Sequence, residues 1–188
     1  MESKLLITIP YQTLEIGRIH LGGFRQDMKE RYIAPLTYKD STLEIDDFIL
    51  LSPILKVLDY NMITGRLRLD TTDQRQFSMK MNTFQQYIVS TIYINRMSYL
   101  HHDYSMEEVN DMFQVLLNGD AFSIFVYPTA TVRNDDGTIT HIQMLKAGDS
   151  IRFPLYIHGI MSMAHLRGTR FRIQHNVPYV WKIKEAIC

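Results

Sequence analysis

"TRFRIQHNVPYVWKIK", Thr169 to Lys184, alternates with a period of two. Phe171, Ile173, His175, Val177, Tyr179, Trp181 and Ile183 fall on one parity. Arg170, Arg172, Gln174, Asn176, Lys182 and Lys184 fall on the other. Successive side chains of a strand face opposite sides, so the spacing predicts a strand. One face carries four cations and the other carries Tyr179 and Trp181. Such a strand either presents a platform for a polyanion or is an ordinary solvated strand on an apolar core. Because aromatics and cations are on opposite parities, a flat strand cannot stack bases and neutralise phosphates on one surface. A bulge at Pro178 would swap the parity of the residues after it. Otherwise Tyr156 or Phe153 on the preceding strand would supply the stacking rings.

Working outward, "KAGD" (146–149) reads as a turn, "SIRFPLYIHGI" (150–160) as a strand and "MSMAHLRG" (161–168) as a connecting loop. "AFSIFVYPTATV" and "TITHIQML" flank "RNDDGT", whose Asp136-Gly137 is a hairpin signal. Upstream, "SMEEVNDMFQVLLNG" places Ser105 three residues before Glu108 as a capping box, keeps apolar residues at helical spacing to Leu117, and offers Gly119 as a terminator. This predicts a helix over about 106–117. Phe84, Tyr87, Ile88, Thr91, Ile92 and Asn95 predict another over about 83–99. Before them, Phe48–Tyr60 and Arg66–Leu69 read as a hairpin with Pro53 at a bulge or edge. A short strand near Leu5–Ile9 is set among loops, with Pro35 interrupting. The fold class is therefore α+β and mostly β. A single domain over 1–188 is expected, with an irregular segment over 1–42 and a core over 43–188.

The 188 residues are 46% hydrophobic and 21% charged, which excludes a disordered or fibrous chain. "MESKLLITIP" has no apolar run long enough for a signal peptide or membrane span, so a soluble, unprocessed protein without a membrane partner is expected. The single cysteine, Cys188, cannot form an internal disulfide, and a reducing intracellular compartment fits. Net charge is zero, but residues 1–150 carry 14 Lys+Arg against 19 Asp+Glu, while residues 151–188 carry 6 against 1. The neutral sum hides a charge dipole along the chain.

Catalytic signals are sparse. The sequence has no phosphate-binding G-x-x-x-x-G-K-[ST] loop, G-x-S-x-G elbow or H-E-x-x-H helix. His101-His102-Asp103 reads as an interhelical loop, and His158, His165 and His175 match no metal spacing. His175, on the apolar parity, reads as a neutral imidazole hydrogen-bonded within the sheet. "EIDD" and "NDDG" could offer oxygen ligands to a divalent cation, but a strand edge and a turn account for them. No catalytic residue, cofactor or metal is expected. An enzyme would need a site assembled from distant residues such as His158, His175 and an acid.

The C-terminal quarter is where features converge. Arg152, Arg167, Arg170, Arg172, Lys182 and Lys184 are interleaved with Phe153, Tyr156, Phe171, Tyr179 and Trp181. Single-stranded nucleic acid needs both cations for phosphates and flat rings for bases. The competing reading has the aromatics filling the core and the cations merely solvated.

"KAGDSIRFPLYIHGI" followed by "GTRFRIQHNVPYVWKI" resembles the C-terminal half of the single-stranded-DNA-binding proteins of large nucleocytoplasmic DNA viruses. That family has a glycine–aspartate turn, an "IHGI"-like strand and a last strand close to "RIQH". The resemblance extends loosely over Leu43–Ile183. It implies an OB-like β-barrel with the two helices inserted. It also implies non-sequence-specific binding of single-stranded DNA in replication, recombination or repair. Carried over by motif, it points to Arg152, His158, Arg172, Gln174 and His175, with Arg170, Lys182 and Trp181 as neighbours. Together with the residue types, this makes Arg152, Tyr156, His158, Arg167, Arg170, Arg172, Gln174, Lys182 and Lys184 the candidate nucleic-acid contacts. Such a protein would work in the host cytoplasm, virus factory or nucleus, or be packaged in the virion, and self-association is a further expectation. The alternative is a viral structural protein, such as a minor capsid component, whose basic C-terminal strand meets an acidic neighbour.

Overall fold

The computed structural model describes residues 7–26, 31–39, 44–165 and 168–184. The structure is 46% strand with three α-helices among the described residues, so the α+β, mostly β class holds. The strands form two mixed sheets, and neither closes on itself. In the first sheet, Thr8–Pro10, Phe48–Leu51, Pro154–His165, Gly168–Asn176 and Phe113–Gln114 lie side by side, and Tyr32–Lys39 also pairs with Pro154–His165. The second runs Leu117–Asn118, Ala121–Phe125, Arg66–Asp70, Leu55–Asn61, Ser150–Arg152, Tyr179–Ile183, Thr131–Asn134, Ile139–His141. Ala121–Phe125 and Thr131–Asn134 are five positions apart in that order, yet only residues 126–130 join them. A flat sheet would separate them by about 24 Å. Six residue steps reach about 20 Å at most. The second sheet must curl.

Three stretches that read as single strands each divide between the two sheets. Phe48–Leu51 passes to Leu55–Asn61 around Pro53, Ser150–Arg152 to Pro154–His165 at Phe153, and Gly168–Asn176 to Tyr179–Ile183 at Val177–Pro178. Proline has no N–H for a ladder, so it sits where pairing stops. The first two crossings are bonded to each other. Ser52 N–H donates to the Phe153 carbonyl at 3.0 Å, and Phe153 N–H donates to Ser52 Oγ at 3.0 Å. That hydroxyl donates to the Pro53 carbonyl at 2.8 Å, and Arg152 Nε donates to the Ser52 carbonyl at 3.1 Å. At the third crossing the burial parity reverses. Phe171, Ile173, His175 and Val177 are buried before it, and Val180 is buried after it.

Other expectations also change. The N-terminal region is more regular than its sequence indicates, because Tyr32–Lys39 is an eight-residue strand. Pro35 is tolerated there because it lies opposite Gly159 at the end of the pairing with Pro154–His165, where its missing N–H interrupts no inner rung of the ladder. The first described strand is Thr8–Pro10, and residues before Ile7 lie outside the described ones. "MSMAH" continues the Pro154–His165 strand, since Met161 and Ser162 are paired on both sides, with Arg172 and Phe171 and with Ile33 and Tyr32.

The long helix spans Arg75–Ile94, and a short helix over Arg96–Leu100 follows it. It starts earlier than expected because Phe77 and Met81 extend the buried stripe of Phe84, Ile88 and Ile92. Phe77 packs edge-on against Phe122 of the second sheet, ring centroids 5.1 Å apart. Ser105 and Glu108 form the expected capping box, but that helix ends at Asp111. Phe113 then joins the first sheet beside Phe171, and Gly119, at φ +58°, turns a hairpin between Leu117–Asn118 and Ala121–Phe125. Apolar spacing could not separate the two outcomes; a buried Gln85, whose Oε1 accepts the Leu116 and Leu117 N–H groups, supports the non-helical path.

Ser52→Ala leaves the buried Phe153 N–H without its acceptor and is expected to lower unfolding free energy by about 1–3 kcal/mol. A Cβ at Gly159 would stand 2.3 Å from the Ala34 carbonyl oxygen, so Gly159→Ala must force apart a pair of bonded strands. A loss of about 1–3 kcal/mol is expected there too. Urea unfolding midpoints of both variants check these values; an unchanged midpoint for Ser52→Ala would remove the role assigned to the crossing.

Candidate functional site

The expected contact residues separate onto two sheets. Tyr156, Arg170, Arg172 and Gln174 share the outward face of the first, where Tyr156 lies opposite Asn176 and Gly159 opposite Gln174. Arg170 is engaged: its Nη1 donates to the Asp111 carbonyl at 2.6 Å, at the C-terminal end of the 106–111 helix, where a cation is favoured. His158, thrown outward by the bulge, sets Nδ1 3.2 Å from Asp47 Oδ1. Arg172 is half-buried, its guanidinium carbon 5.5 Å from the Phe125 ring centroid. Burial lowers its pKa below the ordinary value, with Tyr127 opposing and Arg31 adding to the shift. Arg167 lies outside the described residues.

Arg152, Lys182 and Lys184 belong to the second sheet or its end. Lys182 is on the core-side parity with Val180, and its amine is 2.8 Å from Asp149 Oδ1. The Lys184 backbone N–H donates to Asp135 at 2.6 Å. Phe153 is fully buried, so it cannot stack on anything from solvent. The parity reversal at Pro178 gives the outer face of this sheet its aromatics. Trp181 lies in register between Arg152 on one neighbouring strand and Arg133 on the other. Directly opposed side chains in such ladders are about 5 Å apart at Cβ. Tyr179 meets Trp181 edge-on at 4.9 Å, and the Arg133 guanidinium carbon stands 3.9 Å from the centre of the Tyr179 ring.

The chain matches no protein-family model, curated protein or solved structure. Its site must therefore be read from its own side chains. On the same outer face, the register places Arg66 opposite Phe125, Arg68 opposite Ser123, and Lys56 opposite Asp70 and Ser150. Arg68 is held by Asp59 at 2.9 Å, whereas Arg66, Arg133 and Arg152 have no carboxylate partner among the described residues. Arg133 is absent from the expected set because "RNDDGT" reads as an acidic turn. The alternation of buried Val132 with exposed Arg133 was the signal that could have found it. Tyr179 and Trp181 reach the side opposite buried Val180 through the swap of parity at Pro178 that the sequence leaves open.

The other constellations resolve into local structure. Asp103 pairs with Arg96 and His102 stacks on Tyr104 at 4.4 Å, while Asp136 accepts from the Thr138 N–H and hydroxyl within its turn. Among the described residues, no group of three His, Cys, Asp or Glu is placed to hold a metal ion. No described helix is long and apolar enough to cross a membrane.

His175 is the hydrogen-bonded core histidine that its parity implies. Phe125 N–H donates to Nε2 at 3.0 Å, so Nε2 is unprotonated and Nδ1–H donates to the Ile173 carbonyl at 2.9 Å. Burial pushes the imidazole down to about 4, partly opposed by that carbonyl and reinforced by Arg172 and His158. The ring is fixed as the neutral Nδ1–H form and ties Gly168–Asn176 to Ala121–Phe125. Because the folded value lies below the ordinary 6.5, the unfolded chain takes up the proton first as pH falls. The stabilisation is full above pH 6.5 and is lost as pH falls through about 4. The loss amounts to about 3 kcal/mol. Urea unfolding at pH 7, 5.5 and 4 should show this decline, and His175→Leu, less stable at pH 7, should show a shallower one. An identical pH slope in the two proteins would contradict the assignment.

Proposed function

We propose that this protein binds single-stranded nucleic acid without sequence preference across the outer face of its second sheet. The observation that carries this reading is the row Arg152–Trp181–Arg133 with Tyr179 beside it. Stacking a base on an aromatic ring contributes about 1–3 kcal/mol and tolerates any base. Arg133 and Arg152, in register with Trp181, supply phosphate neutralisation along the same row, Arg152 through the guanidinium nitrogens beyond its Nε bond to the Ser52 carbonyl, and an arginine held over a tyrosine ring can also stack on a base. Arg66 extends the positive character along the face. A curled, open sheet offering such a face is the feature of this fold that an OB-like binding barrel would use. The resemblance of the C-terminal wording to viral single-stranded-DNA-binding proteins points the same way, toward replication, recombination or repair in an infected cell. No reaction is assigned to the protein. The assembly reading rests on the charge asymmetry alone, and one of the C-terminal cations, Lys182, is neutralised within the chain by Asp149.

Fluorescence anisotropy with single- and double-stranded oligonucleotides at several salt concentrations tests the proposal. Four or five phosphate contacts, at about −0.7 each, give a slope of log affinity on log salt near −3 for single strands. Arg133→Glu, at an exposed position, should weaken binding at least ~10-fold with little change in thermal unfolding, and Trp181→Leu should weaken it by a similar factor. A slope near zero, or full binding by both variants, would defeat the proposal. Salt-sensitive self-association with no oligonucleotide binding would instead favour a structural role.

A further inference from the structure

A second concave feature lies away from that row, where the end of Gly168–Asn176 meets the end of Ala121–Phe125 and the turn after Leu55–Asn61. It is a cavity of ≈ 320 Å³ lined by Arg172, Gln174, Phe125, Tyr127, Met62 and Ile63, with His175 in its wall. Its rim carries apolar side chains that the fold does not use: Ile63 is 97% exposed, and Met62 and Tyr127 are each 59% exposed. A concentration of exposed apolar groups around a cavity marks a binding site more often than chance exposure does.

The polar groups narrow the ligand class. Arg172 is half-buried, makes a cation–π contact with Phe125 and has no carboxylate partner among the described residues. A partly desolvated guanidinium without a counter-charge favours an anion, and its fork of N–H donors suits phosphate oxygens. Gln174 offers one acceptor and two donors, the complement of a nucleobase edge. Tyr127 and Ile63 provide the surface against which a flat ring can pack. His175 cannot contact a ligand through nitrogen, because both ring nitrogens are taken by backbone groups. It instead fixes Phe125 relative to Arg172. The volume is near the lower bound for small-molecule sites, about 300 Å³, and fits one base with its sugar phosphate.

We infer that this cavity is a nucleotide-binding site in which Arg172 holds the phosphate, Gln174 meets the base edge, and Tyr127 with Ile63 packs the ring. The shared chemistry is a nucleoside monophosphate unit, either free or as one residue of a strand. The site stands independently of the Arg152–Trp181–Arg133 row.

Isothermal titration with 2′-deoxyadenosine 5′-monophosphate, deoxyadenosine and inorganic phosphate separates its parts. The monophosphate should bind at least ~10-fold more tightly than either fragment. Arg172→Met should bring the monophosphate to the level of the nucleoside, and Tyr127→Ala should weaken both. Gln174→Leu, which leaves the Arg172–Phe125 contact intact, should weaken the monophosphate severalfold and covers the case in which Arg172→Met fails to fold. Trp181→Leu should leave monophosphate binding unchanged while impairing oligonucleotide binding, so failure of the cavity and failure of the sheet face are told apart. Competition of an oligonucleotide with the monophosphate would identify a residue of a strand as the occupant, and simultaneous binding would identify a free nucleotide. Equal affinity for phosphate and monophosphate, no effect of Arg172→Met and Gln174→Leu, or no monophosphate binding would overturn the inference.

Discussion

The fold depends on the bonds that join two chain crossings at Ser52 and Phe153. Six strand segments contribute to the two sheets in pairs, and each pair is continuous through a crossing. A crossing must leave one ladder and enter the next without stranding buried backbone groups. Ser52 meets that requirement for two of them at once: its N–H, hydroxyl and carbonyl are all engaged, by Phe153, Pro53 and Arg152. Phe153, fully buried beside it, anchors the same point in the core. The third crossing has a smaller device, the Pro178 carbonyl accepting the Thr131 N–H at 3.3 Å. Moving any of these points by one residue would turn a strand's apolar side chains to the wrong face.

This arrangement explains which elements of the structure are legible in the sequence. Elements defined by local chemistry are readable: the Asp136-Gly137 hairpin, the Gly148 turn, the Ser105–Glu108 capping box and the hairpin closed at Gly65 all appear where the residues place them. Elements defined by a change of partner are not. In the sequence the apolar period of two runs unbroken through Pro154 and Pro178, and the apolar run around Pro53 has no alternation to interrupt, so neither pattern marks the change of sheet. The prolines are visible in the sequence, where they read as edges or bulges. Only the partners, Ser52 with Phe153 and Pro178 with Thr131, make them crossings. Phe113 and Leu117 show the same limit, since tertiary pairing overrides their helical spacing.

The proposed binding face follows from the same reversal. Before Pro178 the outward residues are Arg170, Arg172 and Gln174, and after it they are Tyr179 and Trp181. Charge counted along the sequence is a poor guide to free charge in the fold. Lys182 is paired with Asp149, His158 with Asp47, and Arg170 is bound to a helix end. The cations without carboxylate partners beside the half-buried rings, Arg133 and Arg152, come from strands that flank Tyr179–Ile183 in space, and Arg133 is distant from it in sequence. Composition of the last quarter therefore names Arg152 and Trp181 but not Arg133, which only the fold brings beside them.

The two proposed sites share one segment of chain. Arg172 lines the cavity and Trp181 stands on the sheet face, and the chain between them carries His175, locked to Phe125 and Ile173, and Pro178, bonded to Thr131. Nine residue steps span about 30 Å at most. The segment is tied down at two points between Arg172 and Trp181, which fixes where each residue stands without making either depend on the other. Protonation of His175 would act on one of these ties, since it replaces the acceptor of the Phe125 N–H with a second donor. Loss of that bond would loosen Phe125 beneath Arg172 before it disturbed the Arg152–Trp181–Arg133 row, whose ladder hydrogen bonds contain no titrating group.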